Sequence, residues 1–411
     1  MINLKIKTPV WTGDIDTKSS LLQSTGIIGS LRWWTEAILR GMGKCSCDPA
    51  SDERCPKEIN DQKYYCASCL IFGATGMRRL FRLELNGGTK VFDGRALNIK
   101  PDGRNRGWYL GSGLMGDIKL NIVPLDESFD ESLVLVPLTV AAKWGGIGAK
   151  TQHGYGVLEI VNDLNIDFEK FSNLIESILN NQKLSKLGFG LRTKNNDGLT
   201  GLPNLKKMFF AKVQFEATDN NWWKRVDGIK ERGQRRDRNY YEGYAKDTRM
   251  INWVKTDSVP IAPAIKNWLR FDSGQNLWKT NDQNRNREIE NWLFGTIRNT
   301  KTASKINISC AYPVNNNLWE FRIWGWIPKD ELPEGFDRDR FLDNLKRILD
   351  RKGVLDRSGS LKVPWDKLLG DKTRNHGLKI WREFGSTRDT VKQNENNIND
   401  YIKSLLEGEK Q

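Results

Sequence analysis

The sequence is poor in the side chains that most enzymes use for proton transfer. Its 411 residues include two histidines, His153 and His376, which cannot furnish the usual acid–base pair. No serine or cysteine lies in a nucleophile motif. The sequence therefore carries few catalytic signals.

Long hydrophobic runs are absent as well. No stretch approaches the roughly 18 uninterrupted apolar residues that a membrane-spanning helix needs. Residues 2–11, INLKIKTPVW, alternate like a strand and do not resemble the hydrophobic part of a signal peptide. Neither a basic amphipathic tail nor an anchor is visible, so we expect a cytoplasmic protein without membrane contact.

Acidic residues are outnumbered by basic ones. Lys and Arg number 65 against 51 Asp and Glu, which gives a formal net charge of +14. This excess favours an anionic partner, and nucleic acid is favoured over a membrane because no membrane-binding segment is visible. The alternative is a basic protein that binds no polyanion.

Cysteines are few but clustered. Five of the six lie between positions 45 and 69, which predicts a metal site rather than a disulfide framework. Cys66 and Cys69 form one half-site, and the other half comes from Cys45, Cys47 and Cys55. One of these three is surplus, and the close spacing of Cys45 and Cys47 predicts that only one of the pair binds the ion. Such a site is structural; the alternative is a set of reduced thiols on a surface loop.

An amphipathic helix is predicted at residues 26–41, GIIGSLRWWTEAILRG. Helical spacing puts four apolar residues on one core-facing stripe: Ile27, Leu31, Trp34 and Ile38. The opposite face gathers Arg32, Trp33, Glu36 and Arg40. This polar face is either solvated, in contact with a partner chain, or stacked against nucleic-acid bases.

The order of elements predicts an α+β fold. A strand, a helix, a strand, a helix and a strand follow one another at residues 2–10, 26–41, 78–85, 131–144 and 157–161. This order fits the ferredoxin-like βαββαβ plan, and the second half of the chain repeats it loosely.

The expected domains are a first module at 1–200, a second module at 201–385 and a polar, frayed tail at 386–411. Long basic loops interrupt both modules. One is a mobile excursion at 86–116, and the other is a charged insertion at 218–256.

A glycine-rich loop, GGIGAKTQHGYG at 145–156, precedes the last strand of the first module. It is not a phosphate-binding P-loop, because Ala149 stands where that motif has a glycine before its lysine. The loop either lets an RNA backbone approach closely or forms a tight turn in which the glycines only satisfy positive φ. Its polar side chains are Lys150, Thr151, Gln152 and His153.

Two further segments, residues 72–82 and 225–249, interleave cations with aromatic residues. This pattern suits phosphate contacts and base stacking, or else a solvated surface. Asp14 and Asp16 lie in a loop after the first strand, where a divalent ion could be held for phosphodiester cleavage. An ordinary Asp-rich turn is the alternative.

Several of these segments together resemble the RAMP superfamily of CRISPR proteins. The strings, in chain order, are TPVWTGD, GIIGSLRWWTEAILRG, CASCLIFGATGMRRLFRL, GGIGAKTQHGYGVLEI and WEFRIWGWIP. Within the superfamily, the chain is most similar to the subunit that caps the head of the type III-B Cmr effector complex.

The resemblance implies two tandem ferredoxin-like modules of the RRM type and a non-catalytic function in RNA-guided antiviral defence. Such a subunit lies near the 3′ end of the CRISPR RNA, contacts other Cmr RAMP subunits and aids the capture of single-stranded target RNA. The alternatives are a metal-dependent endoribonuclease that uses Asp14 or Asp16, and a metal-independent RNA-processing enzyme in which His153 acts as acid or base.

The resemblance also implies roles for particular residues. The candidates for RNA contact are Arg32, Trp33, Arg40, Arg78, Arg79, Lys143, Lys150, Thr151, Gln152 and His153. The cysteine-rich insertion at about 43–70 is similar to a zinc-binding insertion of several RAMP subunits, and Cys66 and Cys69 fit it. Structural zinc is therefore the expected cofactor.

Overall fold

The computed structural model of the chain contains two main antiparallel sheets with helices packed between and around them. It describes residues 1–14, 19–52, 54–59, 61–104, 106–181, 201–231, 243–273, 277–296, 302–329, 331–350 and 362–408. The predicted mixture of helices with antiparallel strands is confirmed. Asp16 and the centre of the charged insertion, 232–242, lie outside the described residues.

The strands are β1 (Ile2–Val10), β2 (Lys57–Ile59), β3 (Gln62–Tyr64), β4 (Phe81–Lys90), β5 (Leu97–Ile99), β6 (Trp108–Leu110), β7 (Leu114–Pro124), β8 (Leu158–Ile160), β9 (Met208–Ala217), β10 (Ile306–Ile308), β11 (Tyr312–Pro313), β12 (Leu318–Trp326) and β13 (Thr373–Glu383). The helices are α1 (Ser24–Gly41), α2 (Ala67–Phe72), α3 (Ser132–Trp144), α4 (Phe168–Asn181), α5 (Thr248–Val254), α6 (Ala262–Asn267), α7 (Gln283–Phe294), α8 (Arg338–Leu349), α9 (Trp365–Leu368) and α10 (Ile398–Glu407).

The first sheet has the strand order β4-β7-β1-β8, and all neighbouring strands are antiparallel. Along β1, the side chains of Ile2, Leu4 and Ile6 are buried, whereas Asn3 and Lys5 are exposed. The alternation in the sequence therefore predicted the buried face of this strand correctly. Helix α1 connects β1 to β4, and α3 connects β7 to β8.

The second sheet has the order β10-β12-β9-β13, and β11 adds a short pairing to β12. Its neighbouring strands are also antiparallel. When the short β11 is left aside, the first strand in sequence lies between the third and the fourth in both sheets. Numbered within each sheet, both therefore read 2-3-1-4.

The two halves of the chain share one hydrophobic core. Trp34 of α1 packs against two aromatic residues of the second sheet, Phe210 and Trp324, at ring-centroid distances of 6.3 and 5.4 Å. Arg322 of β12 donates hydrogen bonds to the carbonyls of Ala142 and Gly145, at 2.7 and 3.0 Å, where α3 ends. A cation at these carbonyls complements the negative end of the helix dipole.

The described residues of 86–116 contain strands in place of the loop excursion that the sequence predicted, so that prediction is wrong for them. Strands β5 and β6 form a hairpin that docks against the second half of the chain. The backbone N–H of Asn98 donates to the Tyr244 hydroxyl, and that of Asp102 donates to the carboxylate of Asp227. Local composition missed this hairpin because its partners lie more than 120 residues later in the sequence.

The frayed C-terminal tail is also a wrong prediction for Ile398–Glu407. This segment is helix α10, which buries Tyr401, Ile402 and Leu405 at helical spacing. Its Leu405 carbonyl accepts a hydrogen bond from Trp144 Nε1 at 2.9 Å, which ties the end of the chain to α3. The polar composition of the whole tail predicted fraying, whereas the helical spacing of its few apolar residues indicates an amphipathic helix.

Among the described helices, none combines the length and the apolar character needed to cross a membrane.

Candidate nucleic-acid interface and metal centre

A cleft of about 1360 Å³ lies between residues from both halves of the chain. The first half contributes residues 106–108 of the β5–β6 hairpin and the glycine-rich loop. The second half contributes residues of α6 and α7, residues 270–271 and 278–279 between them, and residues 295–296 and 302–304 after α7. The cleft is larger than the roughly 300–1,000 Å³ of most small-molecule pockets. Its cationic side chains are Arg106, Lys266, Arg270, Lys279 and Arg287, and its aromatic residues are Trp108, Phe271, Trp278 and Phe294.

Local sequence signals set the walls of the cleft. Pro263 stands in the first turn of α6, where proline needs no hydrogen-bond partner for its nitrogen. Asp282 caps α7 by accepting from the backbone N–H groups of Asn284 and Arg285. The hairpin tip is held against this wall by Arg104, whose guanidinium lies 3.6 Å from the centre of the Phe271 ring.

The cleft is positively charged. Of the described residues that line it, five are Lys or Arg, and one, Glu290, is acidic. Glu290 pairs with Arg270 at 2.8 Å, which leaves the other cations in excess. Arg106 and Arg287 are exposed to solvent. Such a surface attracts a polyanion.

Lys266 lies at the buried inner wall of the cleft. Its Nζ donates to the Ser304 hydroxyl at 2.8 Å and to the Gln152 carbonyl at 3.4 Å. Burial, with a smaller contribution from the positive charge of Arg270, lowers the pKa of Lys266 to about 7. A negative charge placed beside this amine would raise its pKa again.

The aromatic contribution comes from half-buried Trp108 and Phe271. The edge of the His153 ring meets Trp108 at a centroid distance of 5.1 Å. Burial, followed by the positive charges of Lys266 and Lys150, lowers the pKa of His153 to about 3, so this imidazole is neutral at physiological pH. The site therefore offers cations for phosphates and ring faces for bases.

The glycine-rich loop performs a structural task and also reaches the cleft. Lys150 adopts a positive φ of 63° and places its Nζ 3.2 Å from the centre of the Trp11 ring. Thr151 bonds to Asn307 at 3.1 Å. Of the four polar residues predicted in this loop, Gln152 and His153 line the cleft.

The polar face of α1 is occupied by contacts within the chain. Arg32 donates to Glu36, to the Gly73 carbonyl and to Cys69 Sγ. Arg40 donates to the backbone carbonyls of Ser46, Cys47 and Pro203. Trp33 packs against Trp34 and Trp324. An RNA contact by Arg32, Trp33 or Arg40 remains a prediction.

The remaining predicted cations lie away from the cleft. Arg78 is exposed and donates to the Leu125 carbonyl, and Arg79 beside it is half-buried. Lys143 donates to the Leu406 carbonyl of α10, and burial lowers its pKa. RNA contacts by these three residues also remain predictions.

Four buried cysteines form a candidate metal centre. The sulfur atoms of Cys47, Cys55, Cys66 and Cys69 all lie within 4.8 Å of one another, and those of Cys47 and Cys69 are 3.5 Å apart. A tetrahedral zinc–thiolate site has sulfur–sulfur distances of about 3.8 Å, which follow from Zn–S bonds of about 2.3 Å. The donor set and its geometry therefore fit a divalent metal. Cys45 lies outside this group, as expected if only one of Cys45 and Cys47 is a ligand.

The cysteines influence one another before any metal binds. Hydrogen bonds from Cys47, Cys55 and Cys69 lower the pKa of Cys66 well below the usual thiol value. The backbone N–H of Cys47 also donates to the Cys66 sulfur at 3.4 Å. At least one thiolate is therefore stabilised in this group, as a metal ligand requires.

Asp14 is half-buried, and among the described residues it belongs to no group of three or more potential metal ligands. Within the described part of the chain, such a cluster of three or more residues occurs at the four cysteines. The position of Asp16 lies outside that part. The cleavage hypothesis thus gains no geometric support here.

Sequence reasoning missed the second-half wall of the cleft. Its cations alternate with aromatic residues in KNWLRF at 266–271 and continue through WK at 278–279. This is the pattern that singled out residues 225–249. Applied to the whole chain, it would have marked this wall as well.

Residues 3–159 match the family model described as the RAMP superfamily. The resemblance seen in the sequence motifs is thereby confirmed for this part of the chain. No curated protein matches the sequence. The similar solved structures include Cmr1 from Pyrococcus furiosus in its apo form, with 14% identity, 81% of this chain and 89% of that chain covered, and a TM-score of 0.34. Another is a chain of a type III-B Cmr-beta complex bound to cognate target RNA, with 14% identity, 82% and 96% covered, and a TM-score of 0.35.

Proposed function

Because its N-terminal residues 3–159 match the RAMP superfamily, we propose that this chain is an RNA-binding subunit of a type III-B CRISPR effector complex. It caps the head of the complex near the 3′ end of the CRISPR RNA and aids the capture of target RNA. Its modules are two tandem ferredoxin-like units, a proposal supported by the common strand order of the two sheets. Zinc at the four cysteines stabilises the first module.

The observation that carries this proposal is the basic and aromatic cleft between the two halves. Its cations suit the phosphates of a single strand, and Trp108 and the face of Phe271 that Arg104 does not cover suit base stacking. Affinity then comes mainly from phosphate contacts, while base pairing between guide and target selects the sequence. The chain thus contributes binding rather than cleavage.

The test removes three cations that line the cleft near its solvent side: Arg106→Ala, Lys279→Ala and Arg287→Ala in one variant. Each phosphate contact to a single strand contributes about 0.7 to the slope of log affinity against log salt. At about 0.1 M salt each contact is worth about 0.7 log units, so losing three weakens binding about 100-fold and reduces the slope by about 2. Mobility shifts of single-stranded RNA across a salt series measure both values.

The matched control removes the same charge from exposed side chains of the first sheet: Lys5→Ala, Lys90→Ala and Lys119→Ala. We expect its affinity to stay within about threefold of the wild type. Equal weakening by both triple variants would contradict the cleft as the RNA site. Divalent-metal-dependent product bands would contradict a purely binding role and favour the nuclease alternative.

A further inference from the structure

The polar stripe of α1 faces the four-cysteine group. Arg32 Nη2 lies 3.1 Å from Cys69 Sγ, and its Nη1 donates to the Gly73 carbonyl at 2.9 Å. About two helical turns later, Arg40 Nη2 donates to the Cys47 carbonyl at 2.9 Å. The two arginines therefore contact both halves of the ligand set, the Cys66–Cys69 side and the Cys47 side.

This stripe has an excess of positive charge in a buried place. The side chains of Arg40 and Glu36 are 8% and 6% exposed, and that of Arg32 is 18% exposed. Glu36 is shared between the two guanidinium groups, at 2.8 Å from Arg32 Nε and 3.5 Å from Arg40 Nη2. Glu36 is the carboxylate in contact with both guanidinium groups, and Asp48 adds a smaller negative contribution at Arg40. A buried charge that is only partly compensated is costly.

Four thiolates with one divalent cation supply the missing negative charge. Such a centre carries two net negative charges, and the arginine that donates to one of its sulfur atoms stabilises that thiolate.

We propose that Arg32 and Arg40 are the charge partners of an anionic metal–thiolate centre at Cys47, Cys55, Cys66 and Cys69. Arg32 acts on a ligand sulfur directly, and Arg40 acts through the backbone of Cys47. Glu36 positions both guanidinium groups and opposes their effect on the thiolates with its own charge. The polar face of α1 then serves the metal, and this inference is independent of RNA binding by the cleft.

The proposal predicts opposite changes in zinc affinity for two substitutions on one face of α1. Arg32→Met removes a positive charge from the thiolates and should weaken zinc binding by about 10- to 100-fold, the range for partners of metal ligands. Glu36→Gln removes a negative charge and should strengthen it. A purely structural role predicts that both substitutions weaken zinc binding, because both break the same hydrogen bond.

Zinc affinity is measured on the full-length protein by competition with a chromophoric chelator, and the same variants are loaded with Co²⁺ to record the thiolate charge-transfer band. Arg82→Met is the matched control, since Arg82 is exposed and pairs with Glu84 on the first sheet. Arg32→Lys should recover part of the affinity. If Arg32→Met fails to fold, the sign for Glu36→Gln decides alone.

Weaker zinc binding by Glu36→Gln would overturn the proposal. So would an Arg32→Met affinity within about twofold of the wild type, or a wild-type protein that takes up neither metal.

Discussion

The low pKa of Lys266 predicts that RNA binding depends on pH. An RNA phosphate in the cleft raises this pKa toward its ordinary value, so binding takes up a proton wherever free Lys266 is neutral. With a pKa of about 7 in the free protein, the protonated fraction of Lys266 falls by nearly tenfold for each pH unit above about 7.5. Between pH 6 and 8.5 the affinity should therefore fall about 30-fold.

The assay is a titration of single-stranded RNA by fluorescence anisotropy, from pH 6 to 8.5 at constant ionic strength. Constant salt is needed because phosphate contacts are themselves salt-dependent. His153 does not contribute in this window, because its pKa of about 3 leaves it neutral throughout. The slope of log affinity against pH should approach −1 above pH 7.5.

Two variants separate Lys266 from the other titrating groups. Lys266→Met should bind more weakly at pH 6 and show a flat profile. Lys119→Met, on the exposed face of the first sheet, should keep the wild-type slope. A wild-type affinity that changes less than threefold across the range would refute the reasoning, and so would a Lys266→Met variant that retains the slope.

Three stability predictions follow from buried groups, each measured by urea unfolding. Lys266→Met should stabilise the free protein at pH 7 by about 1–3 kcal/mol. The wild-type stability should rise between pH 7 and 10, where the unfolded chain holds the extra proton, and the substitution should abolish this rise. An unchanged stability profile would argue against a depressed lysine pKa. Asp389→Asn should lower the free energy of unfolding by about 3–5 kcal/mol, because Arg382 and Asp389 form an ion pair that is fully buried. Asp371→Asn, at an exposed carboxylate, should change it by less than about 0.5 kcal/mol. Equal effects of the two substitutions would contradict the importance of the buried ion pair. Gly154→Ala should cost about 2–4 kcal/mol, since φ is +106° and the new Cβ would lie 2.9 Å from the backbone nitrogen of Cys310; a loss below about 1 kcal/mol would contradict this.

The sequence predicted the features that depend on neighbours along the chain. The alternation in β1 and the apolar stripe of α1 are local periodicities, and the structure buries those residues. The cysteine spacing likewise pointed to Cys66 and Cys69 and to a single ligand from Cys45 and Cys47. Helix and strand periodicity and the spacing of nearby ligands depend on residues close in sequence, so they can be predicted from the residue pattern.

The polar face of α1 shows where this reasoning stops. A solvated face and a buried ion cluster have the same pattern of Arg, Trp and Glu along a helix. What distinguishes them is Cys69, which lies 37 residues beyond Arg32 and meets it only in the folded chain. Periodicity shows which face of α1 points away from the core of the first module, but it does not show which residues cover that face.

The glycine-rich loop shows that a tight turn can also place polar side chains at the wall of the cleft. The positive φ of Gly154 and its close approach to Cys310 make the loop a tight turn, seated between the two halves. That seating also puts Gln152 and His153 at the wall of the cleft, opposite cations that lie more than 110 residues later in the chain. Gly154→Ala, which pushes the turn away from Cys310, should therefore weaken RNA binding, even though Gly154 has no side chain to contact RNA. Thr151→Val removes only the hydrogen bond to Asn307. Comparing its RNA affinity with that of Gly154→Ala would show how strongly RNA binding depends on the position of the turn.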